Sequence, residues 1–193
     1  MIDVPTIRTA CAGDIPAMRT LIERSARALS RGFYTEREAE SAIRYVFGVD
    51  STLVADGTYY IVELSSAPAA CGGWSRRRTL YGGDQRPVGA PNELLDPATD
   101  AARIRAFFVA PEHARKGLGR LLLDHCVLAA GAAGFTMLEL MSTLPGVPFY
   151  EAMGFVNAES VSDVLPDGMA VAFVRMTRAL REPQIPQIPP TEV

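Results

Sequence analysis

The sequence predicts a single α/β domain, on the basis of its length, its composition and its periodicity. The 193 residues are enough for one domain with a full hydrophobic core and too few for two. Apolar residues make up 48% and charged residues 21%, as in ordinary soluble globular proteins. Segments with strand composition alternate with segments whose apolar residues recur at helical spacing. We expect the domain to occupy residues 1–181 and the proline-rich residues 182–193 to form a disordered tail.

The first half of the chain predicts a short strand, two helices and an antiparallel hairpin. Asp14 suits the N-cap of the first helix, because a proline follows closely and apolar residues then recur at helical spacing. Thr35 and Glu38 have the spacing of a capping box, and Gly48 suits the end of this second helix. Two runs rich in β-branched and aromatic residues, separated by a short turn, predict the hairpin. The predicted strands are residues 6–10, 58–64 and 69–78.

The second half predicts a long loop followed by alternating strands and helices. Residues 79–101 contain Gly, Pro, Asp and Asn without periodicity, which is typical of a functional or mobile loop. The helix at about 118–130 is apolar on most faces, Leu128 included, so we expect it to be largely buried. The remaining predicted elements are strands 103–109, 135–142, 155–158 and 169–178 and a short helix at 149–153.

Charge and composition argue against several classes of protein. Nineteen Lys and Arg against 22 Asp and Glu give a net charge of −3, which disfavours binding of nucleic acid or anionic membranes by bulk charge. No apolar run reaches the roughly 18–20 residues that span a bilayer, and the polar N-terminus does not read as a signal peptide. Three scattered cysteines and two histidines lack metal-ligand spacing. We therefore expect no metal site, no disulfide framework and a reducing, cytoplasmic location.

The most informative segment joins the strand at 103–109 to the buried helix. Gly117 and Gly119 lie where the helix begins, so the backbone can approach a ligand closely. The first helical amides have no intrahelical acceptor, and with the helix dipole they suit an anion such as pyrophosphate. Arg115, Lys116 and Arg120 add positive charge. The segment matches neither the P-loop nor the dinucleotide fingerprint, so taken alone it is equally a solvated glycine turn.

A second motif, PFYEAMGF at residues 148–155, follows after one strand. The pattern V-x-P-E-x-x-x-x-G-x-G followed by FYEAMGF resembles the GNAT family, the Gcn5-related N-acetyltransferases. The resemblance extends from Thr6 to about Arg178. It implies a mixed, mostly antiparallel sheet of six or seven strands, flanked by helices and splayed between strands four and five. It also implies that acetyl-CoA lies in that gap as co-substrate of an N-acetyltransferase.

The resemblance also implies roles for individual residues. The end of the fourth strand would bind the pantetheine arm, and the glycine loop would bind the pyrophosphate. Tyr150 matches the tyrosine that, in many family members, protonates the departing CoA thiolate. The end of the fifth strand would border the cleft. The implied cofactor-binding residues are Phe107, Phe108, Val109, Arg115, Lys116, Gly117, Leu118, Gly119, Arg120, Ser142 and Thr143.

Two departures from the family pattern leave alternatives open. Ala114 stands where the pattern begins with Gln or Arg, and Arg103 stands where the histone-modifying branch has a glutamate base. Another residue, an ordered water or bulk solvent must therefore deprotonate the acceptor amine. The missing base also leaves open a non-catalytic acyl-CoA-binding module. The helix start alone leaves open ATP binding.

Glu139, on the fifth strand, has two interpretations. It is either a base whose pKa burial would raise or the ion-pair partner of Arg103 or Arg105, and we favour the ion pair. Arg76 belongs to an arginine run that is either a solvated hairpin end or, with Arg103 and Arg105, a site for an anionic acceptor.

The loop at 79–101 either covers the acceptor pocket together with Trp74 and Tyr81 or is a surface insertion without a role. The candidate acceptor residues are thus Trp74, Arg76, Arg103, Arg105 and Glu139. We expect a small-molecule amine, rather than a protein, as the acceptor. The sequence does not decide whether the chain forms a homodimer.

Overall fold

Seven strands and five α-helices make up the part of the chain that the computed structural model describes, residues 4–85 and 93–180. The strands are β1 (Thr6–Thr9), β2 (Tyr59–Leu64), β3 (Ala67–Ser75), β4 (Ala102–Val109), β5 (Met137–Thr143), β6 (Val156–Val164) and β7 (Ala170–Ala179). The helices are α1 (Ile15–Leu29), α2 (Glu36–Tyr45), α3 (Ser51–Ala55), α4 (Leu118–Ala132) and α5 (Val147–Ala152).

The strands form one sheet in the order β1-β2-β3-β4-β5-β7-β6. Every neighbouring pair is antiparallel except β4 and β5, which run parallel because α4 crosses over between them. The predicted mixed, mostly antiparallel sheet flanked by helices is therefore confirmed.

Two hydrophobic clusters cover the two faces of the sheet. On the first, the α1 face, helices α1 to α3 pack through residues such as Met18 and Leu53. On the second, the α4 face, helices α4 and α5 pack through residues such as Leu122 and Tyr150. Side chains of β4 go to both faces: Ile104 belongs to the α4 face, and Phe108 packs against the α1 face. Strand β4, one of the two parallel strands, thus presents its side chains to two different chemical environments.

The predicted cap of α2 is confirmed, and Asp14 stands at the predicted N-cap position of α1 but does not cap the helix through its side chain. The Thr35 hydroxyl accepts the amide of Glu38, and the Glu38 carboxylate accepts the amide of Thr35. Asp14 precedes α1, but its side chain accepts no amide of that helix. Its carboxylate accepts instead from the amide of Cys11 and from Arg8, which stabilises the 3-10 turn before α1.

Three other local predictions differ from the structure. Helix α2 ends at Tyr45 rather than at Gly48, and the short α3, which periodicity did not reveal, begins after Asp50. Leu128 is 74% exposed, because it lies on the outward stripe of α4 rather than against the sheet. Strand β6 is longer than the predicted 155–158, since it pairs with β7 along its whole length.

Some predictions fall outside the described residues, namely the tail at 182–193 and positions 86–92 of the predicted loop. In the part of the chain that the structure does describe, no helix has both the length and the apolarity to cross a bilayer.

Candidate active site

The parallel strands β4 and β5 pair only at their beginnings. Ala102 lies opposite Leu138 and Arg103 opposite Glu139, and β4 then continues to Val109 with no further β5 partner among the described residues. The two strands therefore diverge and leave a gap in the sheet, as the family resemblance implied. Backbone amides and carbonyls along such a gap are available to an extended ligand.

A β-bulge in β4 accompanies the divergence. The register between β3 and β4 shifts by one residue between Cys71 and Gly73, and Ala106 has a φ of +56°. The ring of Phe107 then lies over Gly72, where an added Cβ would come within 2.5 Å of the ring. The glycine is therefore needed to seat Phe107 at the edge of the gap.

The beginning of α4 lies beside the end of β4. Gly117 has a φ of +86°, so this N-cap position favours glycine. Within the described residues, no amide from 115 to 120 donates a hydrogen bond to a backbone carbonyl. A Cβ on Gly119 would contact Phe149 and Val109, at 3.4 Å and 3.8 Å, which shows how closely the loop approaches β4. Arg115, Lys116 and Arg120 are all exposed there.

Tyr150 lies on α5 at the mouth of the gap. Its side chain is buried, at 9% exposure, and its ring lies 6.4 Å from the ring of Phe107. An added Cβ on Gly146 would contact Tyr150, Ser142 and Thr143 at once, so Tyr150 also borders the end of β5. Burial raises the pKa of the Tyr150 hydroxyl well above its usual value. The hydroxyl therefore keeps its proton throughout the physiological range.

These residues fit an extended thioester carrier with a diphosphate. Free amides and positive side chains lie at one end of the gap, and an open strand edge runs along it. Two glycines, Gly119 and Gly146, leave room where a side chain would touch the walls. The predicted cofactor-binding residues are thus brought together in one region, although the ring of Phe108 packs on the α1 face and leaves only its backbone at the edge of β4.

Aromatic side chains cover the gap on the α1 face. The ring of Phe47 lies 5.9 Å from that of Phe108 on β4 and 6.4 Å from that of Phe173 on β7. Tyr81, from the segment after β3, lies 5.6 Å from Phe173, and its hydroxyl donates to Asp163 at 2.8 Å. The described part of the predicted loop therefore reaches the face opposite α4.

Trp74, a predicted acceptor residue, does not belong to this aromatic group. It is 5% exposed, and its ring packs against Phe135 on the α4 face. Strand β3 alternates, and the position of Trp74 in that alternation turns the side chain away from the α1 face.

Glu139 is held in an ion pair, as favoured from the sequence, but with a different second partner. Its carboxylate contacts the guanidinium groups of Arg103 and of Arg175 on β7. Burial and the nearby Arg175 charge lower the pKa of Arg103. Because each Glu139 oxygen contacts a guanidinium, this carboxylate is poorly placed to act as a base.

Arg105 pairs with Asp50 instead of Glu139. Their charged atoms lie 2.8 Å apart, the two side chains are only 5% and 6% exposed, and Arg105 also donates to the carbonyl of Gly82. The other Asp50 oxygen accepts the first amides of α3. Burial raises the pKa of Asp50, and the Arg105 charge opposes that shift.

The arginine run after β3 is largely neutralised. Arg77 pairs with Asp56 at 2.7 Å and Arg78 with Glu93 at 3.0 Å, while Arg76 is exposed. Arg103 and Arg105 also have carboxylate partners, so the positive charge of the predicted site for an anionic acceptor is largely compensated. Among the described residues, no three His, Cys, Asp or Glu side chains converge as a metal site would require.

Several site residues were not found from the sequence. Asp50 had a detectable signal, because an aspartate before Ser-Thr suits an N-cap. Phe47 and Arg175 had none, since only the packing of distant elements brings them to β4 and β5. Tyr34 also belongs here: its hydroxyl donates to the carbonyl of Ala172 and accepts the amide of Leu144, just after β5.

Comparison with known proteins identifies this arrangement. A family model described as the acetyltransferase (GNAT) domain matches residues 55–157, just over half of the 193 residues. These residues include β2 to β5, α4, α5 and the start of β6. No curated protein sequence matches the chain.

Solved structures share the fold at low sequence identity. A Gcn5-related N-acetyltransferase from Rhodopseudomonas palustris is 20% identical, with 93% of this chain and 99% of that chain covered and a TM-score of 0.68. PaiA N-acetyltransferase from Thermoplasma acidophilum, in complex with coenzyme A, is 14% identical, with 92% of this chain and 99% of that chain covered and a TM-score of 0.61. The ribosomal-protein-S18-alanine N-acetyltransferase from Escherichia coli is 19% identical, with 95% of this chain and 98% of that chain covered and a TM-score of 0.56. With more than half of its length matched by the family model, the chain belongs to the GNAT family of acetyltransferases.

Proposed function

We propose that this chain transfers the acetyl group of acetyl-CoA to the primary amine of a small molecule, with Tyr150 as general acid. The observation that supports it best is the open β4–β5 gap, which has unpaired α4 amides at one end and Tyr150 at its mouth. A Gcn5-related fold with coenzyme A bound is known in the Thermoplasma acidophilum protein, which supports the same ligand here.

Each wall of the gap would hold one part of acetyl-CoA. The amides at 115–120, with the exposed Arg115, Lys116 and Arg120, would bind the diphosphate. The free edge of β4 from 104 to 109 would bind the pantetheine amides. Acetyl-CoA supplies the activated acetyl thioester, and the protein supplies its position.

Proton handling would divide between Tyr150 and solvent. The neutral Tyr150 hydroxyl would donate to the sulfur as its bond to the acetyl carbon breaks. On the α1 face the two buried carboxylates, Asp50 and Glu139, are held by arginines. We therefore propose that water, rather than a side chain of this face, takes the proton of the amine.

The acceptor would approach from the α1 face, where the aromatic group lies. Tyr81 and Phe108 are partly exposed there and pack against the buried rings of Phe47 and Phe173. The nearby Arg105 has a carboxylate partner. This environment favours an amine with an apolar body over an anionic acceptor.

The pH dependence of the reaction follows from these proton roles. We expect kcat/KM for the amine to rise with pH until the free amine is deprotonated, because only the neutral amine attacks. Burial raises the pKa of Tyr150, so its protonated form persists and no falling limb should occur below about pH 10. Initial rates between pH 6 and 10 would check this. A value of kcat/KM that stays constant over the whole range, or one that falls above pH 8, would contradict it.

Gly117→Ala should weaken CoA binding about tenfold. Alanine strains the left-handed N-cap of α4, so the amides that would bind the diphosphate shift. Isothermal titration calorimetry with CoA would measure the change in Kd.

Gly168→Ala is the matched control for this variant. Gly168, between β6 and β7, has a φ of +79° and equally open space around a Cβ. It should lose a similar free energy of unfolding, about 1 kcal/mol, with Kd unchanged. Equal weakening of CoA binding in both variants would contradict the assignment of the α4 amides.

The proposal as a whole is tested by binding and turnover measured together. The purified chain should bind CoA, with ATP competing poorly, and should release thiol from acetyl-CoA when small amines with aromatic or aliphatic bodies are added. A chain that binds no CoA, or one that binds it and releases thiol with no amine of a broad panel, would overturn the proposal.

A further inference from the structure

We propose that Tyr59 is a positioning residue that holds the β4 bulge at Ala106 and so fixes the shape of the acetyl-CoA cleft. This inference rests on the proposed function, since it assumes that CoA binds along β4. It assigns a role to a residue that lies on β2, two strands from β4, and that packs on the α1 face rather than against α4 or α5.

The Tyr59 hydroxyl reaches across β3 to the bulge. The side chain is 0% exposed, and its hydroxyl oxygen lies 3.3 Å from the Ala106 carbonyl oxygen and 3.7 Å from the Cys71 sulfur. Strand β3 separates β2 from β4, so no ladder hydrogen bond could make this connection. The hydroxyl is therefore a direct link between β2 and the backbone of the cofactor wall.

The bulge needs such support for two reasons. A φ of +56° is unfavourable for alanine, whose Cβ crowds the backbone in the left-handed region. The bulge also interrupts the β3–β4 ladder, so a carbonyl there needs another donor when it is buried. The Tyr59 hydroxyl supplies that donor, which stabilises Ala106 in the conformation that turns Phe107 toward Tyr150.

The Tyr59 hydroxyl has a single proton and two neighbouring acceptors. The Ala106 carbonyl oxygen, at 3.3 Å, is nearer and is a stronger acceptor than the Cys71 sulfur, at 3.7 Å, so the hydroxyl donates mainly to the carbonyl. Burial raises the pKa of Cys71 to about 12 and that of Tyr59 well above its usual value. Both groups therefore remain protonated, and the support for the bulge does not vary over the physiological pH range.

Tyr59→Phe tests the link, because it keeps the buried ring and removes only the hydroxyl. We expect the Kd for CoA and the KM for acetyl-CoA to rise roughly three- to tenfold, the range expected for one buried hydrogen bond, with kcat changed less than twofold. Tyr60→Phe is the matched control: it removes a hydroxyl from the neighbouring position of β2 on the other face, and its Kd should stay within twofold of wild type.

Ala106→Gly provides a rescue that a merely structural role would not give. Glycine adopts the left-handed conformation without strain, so Tyr59→Phe combined with Ala106→Gly should bind CoA within twofold of the Ala106→Gly single variant. If Tyr59→Phe alone does not fold, the comparison of the double variant with the Ala106→Gly single variant still tests the role of Tyr59.

The outcomes separate the two proposals. Three results would each overturn the role of Tyr59. The first is a Tyr59→Phe variant that binds CoA as tightly as wild type, and the second is a Tyr60→Phe variant whose CoA binding is weakened as much as that of Tyr59→Phe. The third is a double variant that neither folds nor binds CoA. Wild-type protein that binds no CoA would overturn the proposed function instead.

Discussion

Tyr150→Phe should lower kcat about a hundredfold while the Kd for CoA changes less than threefold. Loss of a placed proton donor costs at least that much when the leaving group must be protonated. The buried ring keeps its packing against Phe107, Phe149 and Phe155, because phenylalanine has the same shape without the hydroxyl. The defect should therefore appear in the chemical step and not in binding. Thiol release under saturating acetyl-CoA, together with calorimetry for CoA, would separate kcat from Kd.

A remote tyrosine provides the control for Tyr150. Tyr45, at the end of α2, is partly buried on the α1 face, and its phenylalanine variant should keep kcat within twofold. An acetyl thioester donor whose thiol has a lower pKa than CoA needs less protonation as it leaves, so it should reduce the difference in kcat between Tyr150→Phe and wild type. If kcat for Tyr150→Phe equals that of wild type, the hydroxyl has no role in protonating the sulfur and the assignment is wrong.

Local sequence signals predicted the framework of the site well. The capping box at Thr35 and Glu38 needs only neighbouring residues, and so does the glycine pair that begins α4. The order of strands and helices followed from periodicity and from the GNAT resemblance. The capping box and the glycine pair are each encoded within about ten residues, whereas the gap between β4 and β5 was expected only from the GNAT resemblance.

The faces of β4 could not be predicted, because strict alternation fails at Ala106. Strict alternation would place Arg103, Arg105 and Phe107 on one face of the strand. The sequence therefore predicts that the two arginines lie beside the cofactor and the acceptor. The bulge instead sends Phe107 to the α4 face and Phe108 to the α1 face. A single backbone angle thus decides which aromatic ring faces Tyr150.

The partners in the buried ion pairs could not be predicted from the sequence either. Arg105 pairs with Asp50 and Glu139 with Arg175, and these partners come from elements far apart along the chain. Charge pattern alone cannot select between several arginines and several carboxylates. The choice depends on sheet order and on which residues share a face, and both are set by tertiary packing.

Asp50→Asn should lower the free energy of unfolding by about 3 kcal/mol. The single oxygen of asparagine can still accept the amides of Thr52 and Leu53, so the helix cap is kept. The charge is lost, and so is the oxygen that faces Arg105. Arg105 would then remain as a charge that is 5% exposed and has lost its carboxylate, and breaking a buried pair in this way costs about 3–5 kcal/mol. Urea denaturation of the variant and of wild type, with equal m-values, would measure the loss.

Two further variants show whether the loss comes from the charge. Asp50→Asn combined with Arg105→Met removes both charges and should recover at least half of the lost stability, because an apolar replacement leaves no charge buried. Glu112→Gln, in an exposed pair with Arg24, should not measurably change the unfolding midpoint, since water screens that pair. If the double variant is less stable than Asp50→Asn alone, Arg105 stabilises the fold mainly through its contact with Gly82, and the pair with Asp50 is secondary. If it recovers, β4 is held beside the gap by one charge pair, which can be replaced by apolar packing without losing the fold.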